Sequence, residues 1–167
     1  MPAEMQKMAK NYTPEMRQKV MALSPELKAT IQKLHAGHTR RAKETTLRQV
    51  MHEILSEYQS IASALATDNA EQAAEAARRL ANHRIPKGGL LPYFPLDKVN
   101  TNDLSVLPVM NDIVEGNALK LAEAADQGDL GKAASYMSDI MSGCIACHQK
   151  FRGVPGVSAN LTSPAGK

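Results

Sequence analysis

Apolar residues between Glu44 and Ala66 recur at the spacing of one face of an α-helix. Successive apolar positions lie four, three, four, three and four residues apart; they are Leu47, Met51, Ile54, Tyr58, Ile61 and Leu65. This spacing predicts an amphipathic helix of about 23 residues, roughly 35 Å long at 1.5 Å per residue. Such a helix needs other helices to cover its apolar face, so the segment favours an all-α fold.

Capping residues predict where further helices begin. Thr13 and Ser24 each precede a Pro-Glu pair, which combines a hydroxyl N-cap, a proline in the first turn and an acid near the positive end of the helix dipole. Asp68, followed by Glu71, and Asp129 are the expected caps of two later helices. The predicted helices cover residues 14–22, 25–36, 44–66, 70–83, 106–126 and 130–151.

The connections between the last four predicted helices are short, long and short. The long one, residues 85–101, contains three prolines and two glycines and is predicted to be an irregular crossover. These lengths predict an antiparallel four-helix bundle with up-down-up-down order over residues 44–152. A basic helical N-terminal extension, 1–43, would precede the bundle, and a flexible tail, 153–167, would follow it.

Charge is unevenly distributed along a chain whose formal net charge is +3. Residues 1–43 carry nine Lys or Arg and three Glu, a net +6, whereas the remaining 124 residues carry a net −3. The basic segment either steers the chain to an acidic partner or membrane surface, or forms the solvated faces of short helices. No apolar run approaches the ~18 residues of a membrane span, so the chain is not expected to be transmembrane. We expect no nucleic-acid partner.

The pentapeptide Cys144-Ile145-Ala146-Cys147-His148 has the spacing by which c-type haem is attached. On a helix, its two thiols and its imidazole stand at i, i+3 and i+4, so all three leave from one face and can reach one flat ligand. We therefore expect one covalently bound haem c, held by Cys144 and Cys147, with His148 as a ligand of its iron. In an antiparallel bundle, Leu47 to Leu55 would lie opposite His148.

Three other interpretations of the two cysteines compete with haem attachment. A redox-active C-x-x-C pair is typical of a helix start after a strand, whereas this motif ends a predicted helix. A structural zinc site needs four ligands, and the chain has two cysteines and no second Cys/His pair at ligand spacing. Buried, inert cysteines would leave the adjacent histidine as a coincidence. Haem attachment is the favoured interpretation.

The last predicted helix resembles that of the cytochrome c' family, four-helix-bundle haem proteins with six-coordinate, low-spin relatives. The matching residues are the run from Cys144 to Arg152, with its C-x-x-C-H-x-x-aromatic-basic ending, and the Arg48-Gln49 pair in the first bundle helix. The resemblance covers residues 44–152, and residues 1–43 match nothing in the family pattern.

The resemblance implies roles for residues outside the motif. Arg48 would face a haem propionate, which a guanidinium can bind bidentately, and Arg152 would bias the electrostatics beside His148. Family members with an apolar sixth position are five-coordinate and bind NO or CO, whereas those with a methionine there carry electrons. Met51 lies on the inward stripe, and His52 lies about 100° round the helix. Met51 is the favoured sixth ligand; His52 and an open iron are the alternatives.

Two functions follow from these expectations. The first is a periplasmic electron-transfer cytochrome, closed by His148 and Met51, whose basic N-terminal segment docks to an acidic redox partner. The second is a five-coordinate haem protein that binds NO or CO. No enzyme activity is expected, because Arg48 and His52, one turn apart on one helix, do not make a convincing peroxidase pair.

The expected compartment and assembly also rest on the haem and on the resemblance. Haem is joined to such a motif outside the bacterial cytoplasm, so we expect a periplasmic protein whose signal peptide has been removed. Family relatives often pair through their first two helices, which makes a homodimer one expected assembly. His35 and His38, at i and i+3, have no evident third ligand and are interpreted as surface histidines.

Overall fold

The computed structural model describes residues 3–42, 44–94 and 101–151, and in these residues the fold is all-α. The helices are α1 (Ala3–Ala9), α2 (Pro14–Ala22), α3 (Pro25–Ala36), α4 (Leu47–Ala66), α5 (Ala70–Ala81), α6 (Thr101–Ser105), α7 (Leu107–Asn111), α8 (Asn117–Asp126) and α9 (Leu130–Phe151). A 3₁₀ helix covers Leu91–Tyr93, and a π-helix covers Asp112–Gly116. None of the helices described has the length and apolar character needed to cross a membrane.

The predicted starts of α2 and α3 are confirmed, because each helix begins at the proline that follows its hydroxyl cap. The Thr13 hydroxyl accepts a hydrogen bond from the Met16 amide, and the Ser24 hydroxyl accepts one from the Leu27 amide, each at 3.2 Å. Proline is tolerated at this position, since its missing N–H would have no partner within the helix. Local signals therefore suffice to start both helices.

The predicted cap of α5 is wrong by one residue. Asn69, rather than Asp68, caps the helix, and its side-chain oxygen accepts a hydrogen bond from the Gln72 amide at 3.0 Å. Asp68 adopts a left-handed conformation with φ of 54°. The Asn69 amide then donates to the Ala64 carbonyl at 2.9 Å, which closes the end of α4. Because Asp68 reverses the chain, the capping position moves to the next residue.

The predicted third bundle helix, residues 106–126, is interrupted by one turn of π-helix between α7 and α8. The Asn117 side chain donates to the Ile113 carbonyl at 2.8 Å and satisfies an acceptor within this turn. Gly116 leaves room for the Asp112 carboxylate, which would have to move if a Cβ were added at this position. Apolar periodicity did not predict the interruption, since it depends on these polar contacts.

The chain divides into two compact units, which do not follow the predicted segments. Unit 1 contains the described residues of Met1–Val50 and Arg84–Pro108, with Phe151, and unit 2 contains Met51–His83 and Val109–Lys150. The crossover thus groups with the N-terminal helices. The predicted tail, 153–167, and Arg152 lie outside the described residues.

Unit 1 buries apolar side chains from α2, α3 and the crossover together. They include Met16, Val20, Leu27, Ile31, Ile85, Leu91, Tyr93 and Phe94. The buried Tyr12 hydroxyl donates a hydrogen bond to the Gly88 carbonyl at 2.7 Å. The Lys87 amide donates to the Thr45 carbonyl at 2.8 Å. The apolar faces predicted for α2 and α3 are therefore buried within this unit.

Unit 2 has one buried cluster to which α4, α5, α8 and α9 all contribute. Its fully buried residues are Ile61, Ala64, Ala73, Ala74, Ala76, Ala77, Leu80, Ala118, Leu121, Ala122, Ala124, Ala125, Ala133 and Ile140. Most of the cluster residues in α5 and α8 are alanine. Because alanine lets helix backbones approach closely, these two helices form the most intimate contact of the unit.

Polar contacts within unit 2 give the relative directions of its helices. Ser60 and Glu57 of α4 accept hydrogen bonds from Gln72 and Arg79 of α5, at 3.3 and 3.0 Å. Residue numbers increase along α4 while those of the contacting residues in α5 decrease, so the two helices are antiparallel. The ion pair of Arg78 with Asp126, and the contact of His83, just after α5, with Glu115, just before α8, show the same for α5 and α8.

Replacing Tyr12 by Phe should lower the free energy of unfolding by about 1–3 kcal/mol, because the buried Gly88 carbonyl loses its donor. Urea titration followed by circular dichroism measures this difference. Tyr136→Phe, at a half-buried position on α9, is the control and should change the free energy by less than about 0.5 kcal/mol. Equal effects of the two substitutions would show that the Tyr12 hydrogen bond contributes nothing.

Candidate functional site

The C-x-x-C-H motif occupies the last two turns of α9, as predicted. The helix starts where expected: the Asp129 carboxylate accepts a hydrogen bond from the Lys132 amide at 2.9 Å, and Gly128 takes φ of 76° in the turn before it. Cys144, Cys147 and His148 are all half-buried. Their i, i+3, i+4 spacing on a regular helix directs all three side chains to one face.

Both cysteines are free thiols in environments that disfavour the thiolate. Burial, and secondarily the neighbouring Cys144, raises the pKa of Cys147 to about 11. Burial also raises the pKa of Cys144. A C-x-x-C redox pair has the opposite property, a lowered thiol pKa that supplies the reactive thiolate. The surroundings of this pair therefore do not resemble those of a thiol–disulfide catalyst.

The fully buried core of unit 2 stops short of the motif. Within unit 2, the fully buried apolar side chains nearest the motif on the four helices are Ile61, Leu80, Ala118 and Ile140. Beyond them, the apolar side chains of unit 2 are only half-buried; they include Met51, Ile54, Tyr58, Ile113, Val114, Cys144 and Cys147. Leu47 and Val50 of α4 and Phe151 of α9, which belong to unit 1, are buried. The core of unit 2 is thus complete at the turn end and incomplete at the motif end.

Exposed apolar side chains accompany this incomplete end. Met141 and Ile145 of α9 are 39% and 49% exposed, and Leu55 of α4 is 47% exposed. They lie within one turn of the half-buried residues of the same two helices. Contiguous exposed apolar surface is typical of ligand or partner sites, whereas single exposed apolar side chains are common on protein surfaces.

A hydrogen bond between α4 and α9 gives the level of Met51 along unit 2. The Tyr58 hydroxyl donates to the Met137 carbonyl at 3.3 Å. Met51 lies seven residues before Tyr58, and Cys144 lies seven residues after Met137, roughly 10 Å in each case. Since α4 and α9 run in opposite directions, Met51 and Cys144 are at a similar level. These levels are consistent with the expectation that the α4 residues around Met51 lie opposite the motif.

The structure separates the three α4 residues that the sequence singled out. Met51 is half-buried, whereas Arg48 and His52 are both exposed. This arrangement follows from the apolar stripe, on which Met51 lies and from which the other two residues are displaced. Burial thus distinguishes Met51 from the alternative ligand His52.

Gly143, which lies beside the motif and makes a close packing contact, was not identified from the sequence. A Cβ at this position would lie 2.7 Å from Cγ2 of Ile113 and 2.8 Å from Cγ2 of Val114. The π-helix therefore packs directly on the α9 backbone, one residue before Cys144. A glycine inside a long helix, next to the motif, was the only sequence signal of this close approach.

The histidines differ most from expectation. His35 and His38, interpreted as surface histidines, are 4% and 5% exposed, so that interpretation is wrong. His83 is also buried, and its Nε2 lies 3.1 Å from Oε1 of Glu115 in the π-helix. The side-chain amide of Asn111 donates a hydrogen bond to Oε2 of the same carboxylate at 2.9 Å. The sequence shows no short-range pattern that joins residues 83 and 115.

The residues at the motif end of unit 2 fit a covalently held haem. Two neutral thiols and an imidazole share one helix face, which is the donor set that haem c requires. The half-buried apolar side chains around them would be covered by a flat apolar ligand. Zinc does not fit as well, because a closed structural zinc site needs four ligands and the motif offers three donors.

Comparison with known proteins adds no relative: no family model, no curated protein and no solved structure matches this chain. The assignment of the site therefore rests on the chemistry and the geometry of its own residues.

Replacing Gly143 by Ala should lower the free energy of unfolding by about 1–3 kcal/mol, because the added methyl group overlaps Ile113 and Val114. The gain in helix propensity offsets only part of this cost. Gly131→Ala is the matched control on α9: its Cβ has Asp129 Oδ1 at 3.8 Å as the nearest heavy atom, so it should stabilise by about 0.5–1 kcal/mol. Urea unfolding of both variants would contradict the close approach if they were equally stabilised.

Proposed function

We propose that this chain is a mono-haem c-type cytochrome that carries single electrons. The observation that supports it best is the coincidence of Cys144, Cys147 and His148 with the incomplete end of the unit 2 core. In this proposal, α4, α5, α7–α8 and α9 form an antiparallel four-helix bundle of the cytochrome c' type. The prosthetic group replaces the missing part of the apolar core at one end of that bundle.

The three motif residues have separate roles in the proposal. Cys144 and Cys147 would hold the porphyrin through thioether bonds. His148 would ligate the iron through its imidazole, because its i+4 position from Cys144 puts it on the same helix face as the thiols. The bound iron supplies one-electron chemistry by alternating between the ferric and ferrous states.

Met51 is the proposed sixth ligand. It is half-buried, lies on the inward stripe of α4 and has a level along unit 2 similar to that of Cys144. A thioether ligand favours a high reduction potential and a closed site, both of which suit a carrier of electrons. The exposed imidazole of His52 would first have to rotate inward, at the cost of moving the apolar stripe outward.

Arg48 and the surrounding charge extend the proposal to recognition. Arg48 lies one turn before Met51 and is exposed, so its guanidinium is available to a propionate at the rim of the site. The net +6 of residues 1–43 suits an acidic redox partner. Because c-type haem is attached outside the bacterial cytoplasm, the proposed location is the periplasm. These assignments depend on the haem.

Expression of the full chain with a c-type maturation system should yield one haem per chain that stays attached after denaturation and acid–acetone extraction. Cys144→Ser and Cys147→Ser should each leave one thioether and shift the reduced pyridine haemochrome band toward that of non-covalent haem. The double substitution should release all the haem. A wild-type chain that acquires no covalent haem would refute the proposed function.

Met51→Ala should convert the oxidised protein from low-spin to high-spin, remove the sulfur-to-iron charge-transfer band and allow the reduced protein to bind carbon monoxide. Met141→Ala, a methionine on α9 that is 39% exposed, is the control and should keep the low-spin spectrum. A low-spin spectrum in Met51→Ala that is lost in His52→Ala would assign the ligand to His52. A high-spin wild-type protein would mean an open iron and a gas-binding function.

A further inference from the structure

Unit 1 contains a cleft whose floor is buried and whose rim is charged. Its volume is about 570 Å³, which lies within the range of sites for small molecules, roughly 300–1,000 Å³. Ile85, Pro86, Gly88 and Gly89 form the buried floor. Lys7 and Met8 of α1, with Arg41, Ala42 and Glu44, supply the walls.

The floor of the cleft is held in one conformation by hydrogen bonds from several directions. The Ala42 amide donates to the Ile85 carbonyl at 3.1 Å, and the Ile85 amide donates to the Arg40 carbonyl at 3.2 Å. The Gly89 amide donates to the Pro86 carbonyl at 2.9 Å. Together with the Tyr12 bond to Gly88, these contacts fix both walls against the floor. A cleft built in this way is formed before any ligand arrives.

Two glycines of the floor adopt a conformation that other residues rarely adopt. Gly88 and Gly89 have φ of 76° and 79°. A Cβ at Gly89 would lie 2.9 Å from His35 Cε1 and 2.9 Å from Met8 Sδ. Glycine thus lets the Pro-Lys-Gly-Gly turn pack tightly at the floor of the cleft.

The rim has an excess of positive charge. Lys7, Arg41 and Lys87 line it, with Glu44 as the one acidic residue among the lining residues. The Lys87 ammonium lies 3.4 Å from the Glu44 carboxylate, whose side chain is 87% exposed. An ion pair this exposed contributes little and can exchange its partner for an incoming anion. The cleft therefore combines an apolar floor with a rim that attracts anions.

We propose that this cleft binds a small amphiphilic anion: a phosphate or carboxylate group held at the rim, with an apolar ring or short chain against Ile85, Pro86 and Met8. The three cations satisfy the anionic group, and the buried floor covers the apolar part. A cationic or purely polar ligand gains from neither feature. The site lies wholly within unit 1, and the proposal is independent of the haem.

Phenyl phosphate and benzoate serve as probes against the full-length protein, measured by isothermal titration calorimetry and by amide shifts of Gly88 and Gly89. Saturable binding of either probe, with shifts centred on these glycines, is expected. Phenol and inorganic phosphate should each bind at least tenfold more weakly, because phenol lacks the anionic group and inorganic phosphate lacks the apolar ring. Inorganic phosphate binding as tightly as phenyl phosphate, or the absence of saturable binding to both probes, would overturn the proposal.

Charge variants separate a site from a general attraction to a basic segment. Lys87→Gln and Lys7→Gln should each weaken binding of the probe that binds about tenfold, and Glu44→Gln should strengthen it. Lys33→Gln removes the same charge from the exposed face of α3, outside the cleft, and should leave the affinity within twofold. Equal weakening by Lys33→Gln and Lys87→Gln would show only non-specific attraction and would also overturn the proposal.

Discussion

The contact between α5 and α8 is the constraint on which unit 2 depends. It is made largely of alanines, so the two backbones approach closely and bury little volume per residue. One larger side chain enters the fully buried cluster from each helix: Ile61 from α4, Leu80 from α5, Leu121 from α8 and Ile140 from α9. The pair of alanine-rich helices therefore acts as a rigid base, and the ends of α4 and α9 determine how much of the core is filled.

The distribution of small and large side chains along unit 2 explains the position of the candidate site. Toward the turn end, alanines such as Ala64, Ala74 and Ala133 complete the core; toward the other end, α4 and α9 contribute Met51, Tyr58, Cys144 and His148, all half-buried. These side chains carry thioether, phenol, thiol and imidazole groups, and they are less buried than the residues of a packed core. The proposed haem supplies the apolar volume that the protein side chains leave out, so the same group would complete both the fold and the function.

Features set by neighbouring residues were predictable from the sequence, and features set by distant residues were not. The caps at Thr13, Ser24 and Asp129 and the helical position of the motif depend on contacts within four residues, and the structure confirms them. The π-helix, the burial of His83 against Glu115, and the packing of Ile113 on Gly143 depend on tertiary contacts that no local pattern contains. The predicted cap of α5 was wrong because the left-handed Asp68 belongs to the turn that precedes the helix.

The π-helix between α7 and α8 has a consequence for how this chain can vary in length. A π-turn accommodates one residue more than an α-turn, so the face that α8 presents is rotated by about 100° from the one that an uninterrupted helix would give. Deleting a single residue from 112–116 would restore a continuous α-helix and keep Ala118, Leu121 and Ala125 on the face toward the core, because the π-turn already absorbs the extra residue. Unit 2 can therefore lose one residue at this turn without a change of helix phase, whereas a single deletion within α8 would rotate the residues that follow it by about 100°.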